Sequence, residues 1–89
     1  MQNKTKQSKK RLQWQCRRGM LEVELFLNDF LEYDYDYLPI EKKLLFEDLL
    51  MIIDPVLFDY LMGTQEPDDH GLRDIVHTIR EATRQRVNA

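Results

Sequence analysis

The sequence predicts an all-α fold, a compact bundle of about five short helices in a single domain. Apolar residues recur at three- and four-residue intervals, and nowhere do they alternate in the period-two pattern of a strand. Gly, Pro and Asp residues punctuate the chain at the ends of these periodic stretches. At 89 residues the chain suits one domain. A chain of this length buries about 60–65% of its unfolded surface, so its core is thin.

The first predicted helix spans about Lys9 to Arg18, with Leu12 and Trp14 as its apolar contacts and Gly19 as its stop. The second runs from about Met20 to Tyr33. Val23, Phe26, Leu27, Phe30 and Leu31 share one face with Met20, and Glu22, Glu24, Asn28, Asp29 and Glu32 share the other. Leu21 and Leu25 fall on the polar side. The pattern favours their burial against a further helix over an exposed patch. In the link that follows, Tyr33, Tyr35 and Tyr37 are each suited to burying a ring while the hydroxyl stays wet.

The third helix is predicted from Pro39 to about Ile53. It is apolar nearly all round, which marks it as the central one. The fourth opens at Asp54-Pro55, with Asp as cap and Pro in the first turn, and stops at Gly63. The fifth follows an Asp cap. Leu72, Ile75, Val76 and Ile79 give it the clearest amphipathic spacing in the chain, and beyond Arg80 the sequence turns polar and is expected to fray. The expected organisation is a flexible basic arm over residues 1–8, a domain over residues 9–84 and a frayed end over residues 85–89.

Composition narrows the function. The single cysteine, Cys16, supplies neither an internal disulfide nor a zinc site, which favours a reducing, cytoplasmic setting. No apolar run is long enough to span a membrane or to serve as a signal peptide, so no membrane insertion is expected. The net charge of −3 hides an asymmetry. The first 18 residues carry seven basic groups and no acid, whereas the rest carry six against sixteen. A basic arm on an acidic body is a poor nucleic-acid binder, because the body repels phosphate and no aromatic-rich basic stretch offers stacking. No nucleic-acid partner is therefore expected.

Chemistry of the chain's own is not expected either. His70 and His77 are seven apart, too far to share an ion on one helix, and read as surface residues. The only serine, Ser8, lies in the arm, and no nucleophile elbow, phosphate loop or HExxH string occurs. The expected role is to bind another protein.

One constellation stands apart: Arg17-Arg18-Gly19-Met20-Leu21-Glu22, at the junction of the first two helices. Arg18 at a helix end and Glu22 in the next first turn suit the two helix dipoles, and the pair has a purely structural reading as helix-end electrostatics. It reads equally well as a donor and an acceptor around a bare backbone at Gly19, suited to gripping a partner.

The stretch Leu12-Gln-Trp-Gln-Cys-Arg-Arg-Gly-Met-Leu-Glu22 resembles the signature of the SdhE-like (YgfY-like) flavinylation factors, assembly factors for succinate dehydrogenase. Their RGxxE motif falls on Arg18, Gly19 and Glu22. The resemblance covers about residues 12–80 and continues through Phe30, Glu32, Tyr33, Asp36 and Leu38, then Phe46, Leu49 and Leu50. It resumes at Asp54-Pro-Val-Leu-Phe58 and Leu61, and again at Arg73, Ile75, Val76 and Ile79. Tyr60 stands where the family typically has Trp, and the Lys-rich arm before Arg11 is longer than usual. The resemblance implies a five-helix bundle that binds the flavoprotein subunit of succinate dehydrogenase, and of related fumarate reductase, and promotes covalent FAD attachment. It implies that the chain holds no cofactor stably, since FAD belongs to the client; a monomer is expected. With the motif's Arg18, Gly19 and Glu22, the expected partner-binding residues are Arg17, Met20, Leu21 and Leu25. The rival reading is an antitoxin-like regulator of a toxin or cytoskeletal partner.

Overall fold

Ser8 starts the described structure by capping the first helix: its side chain accepts the Arg11 N–H at 3.3 Å. The computed structural model describes residues 8–88, with side chains to Val87, so residues 1–7 of the arm expected over residues 1–8 lie outside the described residues, and Ser8 caps the first helix instead of lying in the arm. Five α-helices follow in order: α1 (Lys9–Gln15), α2 (Leu21–Tyr33), α3 (Ile40–Leu49), α4 (Asp54–Met62) and α5 (His70–Asn88). A single 3-10 turn at Tyr35–Tyr37 separates α2 from α3, and no strand occurs among the described residues.

The core forms where the apolar faces meet. Phe30 and Phe46 stack at 5.5 Å between ring centroids, and Tyr35 lies 5.4 Å from Phe46. Around them Leu12, Leu27, Leu49, Leu57, Ile75 and Ile79 are fully buried. Burying each such side chain contributes about 1.5–3 kcal/mol. The helix ends follow local chemistry. Asp69 accepts the Leu72 N–H at 2.9 Å to start α5. Gly63 ends α4 at φ 85°, with its N–H and that of Thr64 bonded back to the Asp59 carbonyl.

Four expectations need correction. α3 is not the central helix: α2 packs on α1, α4 and α5, and α5 on α2, α3 and α4, whereas the main partner of α3 is α5. The apolar run that seemed to encircle α3 continues past its end. Met51 is 76% exposed in the following turn, and Ile53, at 66%, precedes α4. Of the three tyrosines only Tyr35 is buried; Tyr33 and Tyr37 are exposed. Leu21 and Leu25 are exposed rather than buried, at 66% and 53%. Gly19 has no left-handed backbone, since Gly63 is the one glycine with positive φ among the described residues.

The last helix also runs well past Arg80, through Asn88. Tertiary contacts hold this polar stretch. Arg86 pairs with Asp34, and its guanidinium lies 5.5 Å from the centre of the Tyr33 ring.

Candidate functional site

The segment between α1 and α2 is short, and its position is fixed from outside. α1 closes at Gln15 with Cys16 as its last cap, so Arg18 lies beyond the helix rather than in its final turn. Arg18 turns inward. Its Nε donates to Asp54 Oδ1 at 2.7 Å, Nη1 to the Gln15 and Leu50 carbonyls at 2.9 and 3.0 Å, and Nη2 to the Ile52 carbonyl at 2.6 Å. One guanidinium thus gathers the end of α1, the end of α3 and the turn into α4. Its side chain is 12% exposed. The expected Arg18–Glu22 pair does not form; Asp54 takes the arginine instead.

Asp54 does not cap α4 as expected, since it is the first residue of that helix and no side chain caps that end; it serves the bend instead, its Oδ2 accepting the Gly19 N–H at 2.8 Å. The hydrogen bond from Arg18 holds the Asp54 carboxyl below the usual carboxylate range. Partial burial opposes this, and the N–H groups of Gly19 and Met20 reinforce it. A Cβ built on Gly19 would meet only Asp54 Oδ2, at an ordinary 3.5 Å. Within this chain, then, nothing requires glycine at position 19. The Arg18 N–H reaches Glu24 Oε1 at 3.4 Å, a long contact.

The other predicted residues face outward. Gly19, Leu21, Glu22 and Leu25 are exposed, and Met20 is half-buried against the core. Glu22 makes no ion pair or hydrogen bond with another described side chain. Arg17 is exposed and lies 5.1 Å over the Trp14 ring. Met51 and Ile53 are also exposed, and they flank in sequence the Ile52 whose carbonyl Arg18 holds. Sequence reasoning missed these two and the role of Asp54. The signal available was an apolar run from Leu49 to Ile53 too long for one helix face, ending at Asp54-Pro55.

The remaining polar groups are structural or solvated. Cys16 is buried, and burial pushes its thiol up to about 12. His70 and His77 are exposed; His77 Nε2 lies 2.7 Å from Glu66, which also accepts from Arg80 at 3.0 Å. No cluster of His, Cys, Asp and Glu suited to a metal occurs among the described residues, and no helix there is long and apolar enough to cross a membrane. A groove of about 560 Å³ between α1 and α2 is lined by both charge signs, Lys9 and Arg17 against Glu24 and Glu32.

Residues 10–83 match the family model described as flavinator of succinate dehydrogenase. Curated relatives named FAD assembly factor SdhE are similar along almost all of their length. Those from Serratia sp. and Yersinia pseudotuberculosis are 42% and 40% identical over 79 residues, covering 89% of this chain and 90% of each relative. The one from Photorhabdus laumondii is 38% identical over the same shares.

Proposed function

The chain belongs to the family of succinate dehydrogenase flavinators, and from that membership we propose that it docks on the flavoprotein subunit through the exposed face around Gly19. Its role is in the flavinylation of succinate dehydrogenase, and the fold is the five-helix bundle the sequence predicts. The observation that carries the docking reading is the bare bend. Glycine at position 19 is unnecessary for the chain's own packing, yet it is exposed, with Glu22, Leu21 and Leu25 presented beside it. A missing side chain there is useful to a partner whose backbone must come close. Arg17 and Met20 border the same face; Arg18, turned inward, contributes its backbone.

The chain acts by binding and supplies no catalytic group. FAD and the histidine that receives it belong to the client. Docking favours the client conformation in which flavin and histidine are close and oriented, which lowers the barrier without new chemistry. The effect is bounded by the factor's preference for that conformation over others. The factor works as a cytoplasmic monomer, and a fumarate reductase flavoprotein is a second client of the same chemistry.

Co-expression with the client tests this. Gly19→Ala and Glu22→Ala should keep the melting temperature of the wild type and sharply reduce covalent flavin, read as in-gel fluorescence of the denatured flavoprotein. Wild-type fluorescence from both variants would refute docking through this face.

A further inference from the structure

We infer that Asp54 is a positioning residue for flavinylation: with Arg18 it forms an internal clasp that holds the Gly19 bend in the shape the client grips. The inference rests on the docking reading above and adds a residue from a different helix, 35 positions away from Gly19 in sequence.

Three features of the geometry lead there. First, Arg18 is spent. A guanidinium has five N–H groups; Arg18 directs four hydrogen bonds at Asp54 and at the carbonyls of Gln15, Leu50 and Ile52, and its side chain is mostly buried. Its influence on a client must pass through the backbone it anchors. Second, the bend has few other restraints. Arg18 N–H has only the long contact to Glu24, and the Gly19 N–H is held by Asp54 alone. Third, the same carboxylate and guanidinium join two exposed apolar segments. Exposed Leu21 closely follows Gly19 in the chain, and exposed Met51 and Ile53 closely precede Asp54. Losing the clasp therefore loosens the bend and the turn into α4, while α2 stays packed on α4. A client that grips both would have to order them on binding, which weakens docking.

The test uses the purified full chain, the apo-flavoprotein and FAD. Covalent flavin is measured against factor concentration, at a temperature well below the melting point of every variant. Asp54→Asn should raise the half-maximal factor concentration about tenfold, the scale of one lost charge-assisted hydrogen bond, and leave the plateau at saturation unchanged. Asp54→Ser, whose shorter, uncharged side chain cannot hold both Arg18 and the Gly19 N–H, should do the same and serves if the asparagine variant folds poorly. Combining Asp54→Asn with Arg18→Lys should cost no more than the worse single change, since both break one clasp. Combining it with Glu22→Ala should multiply the losses.

An unchanged half-maximal concentration for Asp54→Asn and Asp54→Ser, with only the melting temperature lowered, would overturn the inference and leave Asp54 a stability residue. Multiplying losses for Arg18→Lys and Asp54→Asn would also overturn it, by making Arg18 an independent contact. The docking reading fails separately. A normal curve for Glu22→Ala beside a shifted one for Asp54→Asn removes Glu22 from the face and upholds the clasp.

Discussion

Replacing Arg18 with alanine should be the most destabilising single change at the α1–α2 junction, even though the residue lies in a loop. The substitution removes four hydrogen bonds, one of them the ion pair to Asp54, and strips the Gln15, Leu50 and Ile52 carbonyls of a donor. A hydrogen bond to a charged group contributes about 1.5–3 kcal/mol, and removing one partner of a fully buried pair costs about 3–5 kcal/mol. Arg18 and Asp54 keep 12% and 21% of their side-chain surface, so water repairs part of the loss. The expected cost is about 2–3 kcal/mol. A domain of this length has about 4–13 kcal/mol in total. In urea, with a slope of about 1 kcal/mol/M, the unfolding midpoint should fall by about 2–3 M. The melting temperature should drop by about 10–20 °C. Glu22→Ala, which removes an exposed side chain, is the control and should move neither. If Arg18→Ala unfolds within about 0.5 M of the wild type while client flavinylation is lost, the clasp reasoning is wrong and Arg18 acts on the client directly.

Other perturbations follow from the same contacts. The folded-state pKa of Asp54 is depressed, so the clasp's contribution is fully present above the unfolded value of about 4 and is lost as pH falls through the folded value. The stability gap between wild type and Asp54→Asn, measured by urea titration, should therefore narrow on acidification below that value. Glu47 is 5% exposed, and neither carboxylate oxygen has a hydrogen-bond partner. Glu47→Met keeps the volume and should raise stability by about 1–3 kcal/mol, visible as a later urea midpoint. Gly63→Ala should cost about 1–2 kcal/mol, because the position needs φ 85° and the new Cβ would press on Arg80 at 3.0 Å. Cys16 should react slowly with a thiol reagent at neutral pH in the native protein and rapidly in denaturant; fast native labelling would contradict its burial.

How much of this was legible beforehand depended on the range of the interaction. The spacing of Leu72, Ile75, Val76 and Ile79 is a local property, and it placed α5 correctly on its buried face. Gly63 and Asp69 act within one turn of their helices, and both ended or began a helix where expected. The Arg-Gly-x-x-Glu string could be recognised as a candidate face because its residue types are informative on their own. Its internal geometry could not. From sequence, Arg18 and Glu22 are near neighbours with opposite charge, and a pair between them looked natural. Arg18 instead reaches the carboxylate of Asp54, and nothing in local spacing distinguishes that carboxylate from fifteen other acids.

The apolar run from Leu44 to Ile53 failed for a related reason. Periodicity counts hydrophobic positions but does not say where the helix bearing them stops. The chain turns at Leu50 and leaves Met51 and Ile53 in solvent, so an apparently all-round apolar helix became a shorter one with an exposed apolar corner. The exposure of Leu21 and Leu25 was likewise undecidable, because it depends on which helices pack against α2 and from which side.

By itself, then, the sequence determined the helical class, the five segments and the family. Each is written in residue types and short spacings, and local propensity and amphipathicity act over a few residues. The tertiary structure alone decided which charges are used inside and which remain outside. That choice is made by groups 35 or 36 positions apart, Gly19 and Arg18 with Asp54, that meet only once the bundle has closed around its core.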